Sequence, residues 1–590
     1  MKKFLKCFVG LLLFIVLINS SSYAQFYRST ASGNWNANST WEVSTNGGVI
    51  WVPASSTPTS ANSTQITINH TVTVTENIAA DQLVLSGTIS INNGVVLTHP
   101  GGATFTLSSG TAITGTGTFQ FQTGTNLNVR AGSNFSATLR INSGTIDVRD
   151  FSSPYIGRLY GNVIVDAGAS LYTGGSIGYT LFVMGNLTVN GSISGFGDLR
   201  FYGPSLTNSG NIEPEVFTFD STSTVAGSGS FLSNQIYLSP NGNITLLSDV
   251  TFSPSGTGPI FEIKTGGIFS ANNYIFTFNS GRFAVLSGAT VVNSGTVRTQ
   301  NTVTIDPRTG SGFNANVNVF SGTTTVTSTA SPFTCSLNGN VVINSGATFY
   351  SGHSVAYVVS IYGNLTNNGS MTGIGSSVRF FGAVLANTGS IESPLFNFDS
   401  TCTVSGNGSY TSENIYISST GNVTLLNNVT FSPTGTGPFF EIKTGGIFSA
   451  NNYIFTFNSG RFAVLSGATV VNSGTIRTQN TVTIDPRTGS GFNANVNVFS
   501  GTTTVTQTVS PFTCRLNGNV VINSGATFYS GHSGAYAVSI YGNLTNNGTM
   551  SGAGSSVMFF GSVFLNTGSV ASPEFNFDST CTFSGAGSYS

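Results

Sequence analysis

Phe261-Glu262-Ile263-Lys264-Thr265-Gly266-Gly267 occurs once in the chain and returns 179 residues later as Phe440-Glu441-Ile442-Lys443-Thr444-Gly445-Gly446. Over residues 261–328 the second occurrence differs at two positions only, where Val297 becomes Ile476 and Ser328 becomes Gln507. A weaker copy lies upstream: Phe217-Thr218-Phe219-Asp220-Ser221-Thr222 matches Phe396-Asn397-Phe398-Asp399-Ser400-Thr401 at the same offset. Such repetition decides the architecture, because stacked units bury their apolar faces on their neighbours and need no single large core.

Within the repeat, short β runs are cut by Gly and Asn. The alternation predicts strands at 243–247, 250–253, 261–264, 267–270, 274–278, 283–287, 290–293, 296–299 and 302–305. Gly-Gly, Asn-Asn and Ser-Gly pairs separate them, and these form turns readily. No apolar pattern of helical period is long enough for a helix beyond residue 24. A sandwich of immunoglobulin type calls for longer strands and a core Trp, which the repeats lack, and a propeller calls for a period of roughly 40–50 residues. Three strands of about seven residues give a coil of about 21, as in a three-sided parallel β-helix. Eight coils of about 22 residues would then fill one copy. Gly-Asn-Val or Gly-Asn-Leu at 161–163, 185–187, 339–341 and 363–365 recurs at spacings of 24 within each pair, one coil apart. Gly is expected there for the turn, and the Asn side chains to bond one another from coil to coil. The expected fold is therefore all-β: a parallel β-helix, right-handed by the rule for parallel crossovers, closed at its start by an N-terminal cap.

The cap is assigned to residues 25–63, which hold all three tryptophans, Trp35, Trp41 and Trp51, with Pro53 and Pro58. Large aromatics beside prolines suit the end of a stack, where open strand edges must be covered. The alternative use of these tryptophans is as a sugar-stacking surface, which makes them the candidate ligand-contact residues. Residues 64–250 then form a degenerate first repeat, 251–429 the second, and 430–590 an incomplete third.

Residues 1–24 read as a secretory signal peptide. Lys2, Lys3 and Lys6 precede an apolar core at 8–18, and Ser22-Tyr23-Ala24 is a small-x-small cleavage site. The apolar run is short for a membrane span of about 20 residues, and no later stretch is long enough for a transmembrane segment. Charged residues make up only 7% of the chain. The mature part carries 16 basic and 20 acidic residues, with Lys264 and Lys443 its only lysines. That balance argues against nucleic acid and anionic lipid as partners, since both need clustered Lys and Arg.

The residues that could carry chemistry recur with the repeat, whereas an active site occurs once. Asp306-Pro307-Arg308 returns as Asp485-Pro486-Arg487, and Asp220, Asp399 and Asp578 share one unit. The expected role of these acids is to cap turns after strands. They stand singly, so no catalytic residue is assigned, and an enzyme is the less favoured reading. His353 and His532 are repeat equivalents with no second histidine nearby, so neither a metal nor a cofactor is implied. Export would permit disulfides among Cys335, Cys402, Cys514 and Cys581. Cys335 and Cys402 stand about three coils apart, or about 14 Å of rise. A bridge needs Cα atoms within about 7 Å, so free, buried thiols are expected. Thr323, Thr325 and Thr327 line one strand face without recurring on every coil.

Ser32-Gly33-Asn34-Trp35, Thr40-Trp41, Val49-Ile50-Trp51-Val52-Pro53, Ile66-Thr67-Ile68 and Val72-Thr73-Val74 follow one another in an order that resembles the opening of large secreted β-helix repeat proteins of the Bacteroidetes type. The resemblance covers the leader and residues 32–75; the remainder matches as generic Gly/Asn/Thr-rich β-helix. It implies an adhesin-like protein and a sorting domain for type IX secretion, which the sequence up to Ser590 does not contain. Composition, repeats and resemblance together predict a secreted or outer-surface structural rod, adhesin-like, meeting extracellular glycans or surface proteins. The second class is a β-helix that binds or cleaves polysaccharide.

Overall fold

The computed structural model describes residues 25–590 apart from 103, 149–153, 177, 255, 257, 293–294, 328–332, 354–355, 436, 472–473, 507–511 and 533; the leader lies outside the described residues. The chain divides into two compact units, Met1–Pro259 and Ile260–Ser590. Each is a parallel β-solenoid, built of short strands stacked in three columns.

In the first unit, the strand Gln25–Ser29 pairs parallel with Ser63–Ile68 and antiparallel with Trp41–Ser44, which pairs antiparallel with Val52–Pro53. These antiparallel strands form the cap. The last carries Pro53, which has no N–H to offer a further strand. Trp35 and Trp41 are fully buried beneath it, edge to face with ring centroids 5.1 Å apart. Both indole N–H groups are used internally: Trp35 Nε1 donates to the Pro58 carbonyl at 2.9 Å and Trp41 Nε1 to the Trp35 carbonyl at 2.7 Å.

Beyond the cap, parallel pairing takes over. Tyr155–Leu159, Tyr179–Val183 and residues 198–201 stack in register as one column, and Val163–Val165 and Leu187–Val189 continue a second. The strands Ser192–Phe201 and Asn211–Phe219 are long enough to serve two columns each, with a register shift between Gly195 and Asp198. Inward positions are apolar and solvent-free, while outward ones are mostly Ser, Thr and Asn. This alternation is what a strand with one buried face requires. Polar side chains also occur inward in the first unit, among them Asn208 and Ser223, and His99 is buried among Phe105, Phe119 and Phe121.

The nine strands expected across 243–305 are all present, most with ends shifted by one or two residues. In the second unit each column can be followed strand by strand. The column that begins at Ile260–Ile263 runs through Gly281–Val285, Thr302–Pro307, Thr323–Val326 and Thr348–Tyr350. It continues through Ser370–Thr372, Ser390–Glu392, Ser409–Tyr410 and Val429–Phe431 to Ile454–Phe457. The column that begins at Ile275–Phe278 runs to Ile447–Ser449.

This corrects the expected eight coils per repeat. Ile454–Phe457 is the sequence equivalent of Ile275–Phe278, yet it lies in the column of Ile260–Ile263. One repeat spans 25 strands, which is eight turns and one strand. Every element of the third repeat therefore sits one face round the solenoid from its counterpart in the second.

The Gly-Asn units behave differently from expectation in two respects. Val163 pairs with Leu187, and Val341 with Leu365, so the spacing of 24 is one turn, as read. The Asn side chains, however, bond the backbone of the next turn and not one another. Asn316 Oδ1 accepts from the Asn340 N–H, Asn340 Oδ1 from Asn364, and Asn364 Oδ1 from Val384, at 2.9, 2.9 and 3.0 Å. The glycine serves close packing of turns: a Cβ on Gly363 would stand 2.3 Å from the Gly339 carbonyl oxygen. Separate inward ladders satisfy buried polar groups, among them Asn367 Nδ2 to Asn387 Oδ1 at 2.8 Å and the Thr299–Thr324 hydroxyl pair at 2.6 Å.

Candidate functional surface

The acids singled out from sequence are placed first by the arginines beside them. Asp306 lies within the strand Thr302–Pro307, fully buried, and its Oδ2 takes Nε of Arg282 and Nε of Arg308, each at 3.0 Å. Asp485 is held in the same way by Arg461, with Arg487 Nε farther off at 3.5 Å. Asp220 pairs with Arg200 at 2.6 Å and Asp399 with Arg379 at 2.8 Å. These carboxylates are not the turn caps expected; each is held by an arginine one turn earlier. The sequence signal is an Arg standing 20–24 residues before an Asp, one turn of the solenoid. Asp578 has Met558 in the place of Arg379 and is exposed.

His353 is on the surface, with Nδ1 3.1 Å from the Tyr350 hydroxyl. Cys335, Cys402 and Cys514 are buried and free, and Cys581 is free and half-buried. Burial pushes the Cys402 thiol up to about 12 and the Cys335 and Cys514 thiols higher still. Among the described residues no three His, Cys, Asp or Glu side chains gather as a metal site. Thr323 and Thr325 face outward, half-buried. Of the three tryptophans, Trp35 and Trp41 have no ring face open to a ligand. Trp51 is half-buried, its Nε1 donates to the Gly48 carbonyl, and the Arg28 guanidinium stands 4.4 Å over its ring.

The outer wall carries a feature the sequence reading did not single out: aromatic side chains on outward positions, each beside an arginine. In the second unit Tyr362 and Phe381 stand on successive turns, stacked at 4.6 Å and 8°, with Arg379 5.1 Å over Phe381. Tyr541 and Phe560 repeat the stack at 4.6 Å and 6°, with Arg515 4.3 Å over Tyr541. Phe320 is 44% exposed with Arg298 5.1 Å from its ring centre, and Phe499 is 42% exposed with Arg477 at 4.9 Å. The signal for Phe320 is a break in alternation: Val317 and Val319 point inward, and the next residue, already past the strand, is a large aromatic.

The first unit has a related surface. Arg158 lies 4.6 Å over Phe182, which stacks on Tyr202 at 5.9 Å, and Arg200 is 5.6 Å from the same Phe182 ring. Beside it is a cleft of about 720 Å³ lined by Arg130, Asn134, Ser136, Ile156, Arg158 and Tyr160. Asp198 shares the outward face with Arg200. Burial pushes its carboxyl up to about 6, with Asp220 adding to the rise and Arg200 opposing it. Hydrogen bonding to Asp220 raises the Arg200 guanidinium further, so it stays charged.

Aromatic faces take the apolar face of a sugar ring, and guanidinium groups take carboxylates or hydroxyls. Among the described residues no helix is long and apolar enough to cross a membrane. No family model, no curated protein and no solved structure matches the chain.

Proposed function

We propose that the protein is a secreted or cell-surface structural β-solenoid, adhesin-like, whose outer wall binds extracellular glycans. The observation that carries this reading is the duplication of aromatic elements on the outer wall, just past the ends of strands: Arg298 with Phe320 and Arg477 with Phe499, and the stacked pairs Tyr362 with Phe381 and Tyr541 with Phe560. Repeated weak contacts on one stiff body sum by avidity, which is what adhesion demands. The tripartite leader supports export.

A second reading is favoured by one feature that is not duplicated. The cleft bounded by Arg130, Arg158 and Tyr160, with the raised carboxyl of Asp198 two strands further along the same column, offers a place for a polysaccharide to be held or cut. A glycan array probed with the mature chain, residues 25–590, followed by product analysis on the same polysaccharides, separates the two. Binding without cleavage is the expected result. Released oligosaccharides would replace the adhesin reading with the enzymatic one, and silence on both counts would remove glycans as the partner.

A further inference from the structure

The two best-matched outer elements share more than an aromatic ring. Arg298 stands outward on Thr296–Thr299, with Asn318 directly beside it on the next turn. Phe320 follows on that turn, and Gln300 takes the same place one turn earlier. Arg298 Nε and Asn318 Oδ1 are shielded from solvent without a hydrogen-bond partner among the described residues, and so are Arg477 Nε and Asn497 Oδ1 in the third repeat.

The surrounding charge is uniform. The five stacked strands Ile275–Phe278, Thr296–Thr299, Asn316–Val319, Val341–Ile343 and Leu365–Asn367 contain one charged residue, Arg298. Their equivalents from Ile454–Phe457 to Leu544–Asn546 contain only Arg477. Each site is thus a single guanidinium in a neutral field of Thr, Asn and Val, beside an exposed Phe.

This chemistry has a definite complement. A sugar ring stacks on Phe320, the amides of Asn318 and Gln300 meet hydroxyls, and the guanidinium meets a carboxylate through paired N–H donors. The ligand class is therefore a glycan chain carrying carboxylates, as uronic acids do.

The repeat geometry adds a consequence. Twenty-five strands put the second site one face round the solenoid from the first, and eight turns and a third put it about 40 Å along the axis, at about 4.8 Å per turn. A glycan lying along one face reaches one site only. We propose that Arg298–Asn318–Phe320 and Arg477–Asn497–Phe499 are two equivalent sites for a carboxylated glycan, and that their positions on adjacent faces make the protein a bridge between two separate chains. The proposal rests on the glycan-binding reading above and names its ligand class and valency.

The test uses the mature chain with alginate as the probe and dextran as the uncharged control. Titration with short alginate oligomers is expected to give two bound per chain, and alginate-coated beads are expected to agglutinate. The paired substitutions Arg298→Gln with Phe320→Ser, or Arg477→Gln with Phe499→Ser, are expected to halve the stoichiometry and leave the beads dispersed. Apparent affinity for a dense alginate surface should fall about a hundredfold as the second contact is lost. If either pair disturbs the circular dichroism spectrum, Arg298→Lys and Arg477→Lys serve instead, since they keep the charge and lose the paired donors. A stoichiometry of one, agglutination by either single-site variant, or equal binding of dextran would overturn the proposal. Binding to neutral glycans on the array with none to alginate would overturn it while leaving the adhesin reading in place; a silent array would end both.

Discussion

Removing Arg282 should open the strand that carries Asp306, whereas removing Arg140 should change little. Both arginines pair with an aspartate on the following turn. The Asp306 side chain is 1% exposed and Arg282 25%, while Arg140 and Asp166 are 43% and 18% exposed. Arg282→Met leaves a buried carboxylate whose Oδ1 already has no hydrogen-bond partner among the described residues, with Arg308 the remaining arginine beside it. Orphaning a buried charge in this way costs about 3–5 kcal/mol. Arg308 keeps part of the compensation, so about 3 kcal/mol is the working figure. Arg140→Met removes a solvent-screened pair worth about 0–1 kcal/mol. A long repeat array does not unfold in two states, so the readout should be local: hydrogen exchange by mass spectrometry on peptides covering Thr302–Pro307. Three kcal/mol corresponds to about a hundredfold faster exchange there. Arg461→Met should give the same result on Thr481–Pro486, one face round. Asp306→Asn should cost less than Arg282→Met, because the two half-exposed arginines can turn to water. Equal effects for Arg282→Met and Arg140→Met, or less than a fivefold change at Thr302–Pro307, would refute the reasoning that burial sets the cost.

Other outcomes follow from the same geometry. Burial lowers the His99 pKa in the folded state, so the unfolded chain binds the proton more readily. Local stability should therefore fall as pH drops below about 6.5, and in His99→Leu the opening free energy of Val96–His99, read by hydrogen exchange corrected for the intrinsic pH dependence, should lose that part of its acid sensitivity. Gly363→Ala should raise hydrogen exchange at Leu365–Asn367, since its Cβ would meet the Gly339 carbonyl oxygen at 2.3 Å; wild-type exchange there would show that turns can move apart. Asn340→Ala removes one acceptor between turns and should cost about 1 kcal/mol, read as faster exchange of the Asn364 amide. In the folded chain of residues 25–590 a thiol reagent at pH 8 should modify Cys581 quickly and leave Cys335, Cys402 and Cys514 intact until denaturant is added; prompt reaction of all four would contradict their burial.

A good part of the fold was legible in the chain itself. Strand phase at Thr296–Thr299 and Thr302–Pro307 follows from alternation, because a strand with one dry face must place every second side chain inward. Turns follow from Gly and Asn, the one-turn spacing from Gly-Asn units 24 residues apart, and the cap from tryptophans gathered at one end. The carboxylates were misread because local sequence offers Asp306 only a turn, while its partner Arg282 lies one strand layer away. The aromatic–arginine surface was missed for the same reason: Tyr362 and Phe381 are 19 residues apart and become a stacked pair only when successive turns align.

The length of the repeat is a property of the sequence, and 179 residues is readable by eye. The number of strands that make a turn is not, since it depends on which earlier strand each new one finds as its partner. Pairing to the third strand back divides 25 strands into eight turns and one over. Near-identical sequences therefore face different directions, because the parallel ladder fixes each strand by its neighbours on the adjacent turns and takes no account of where the repeat began.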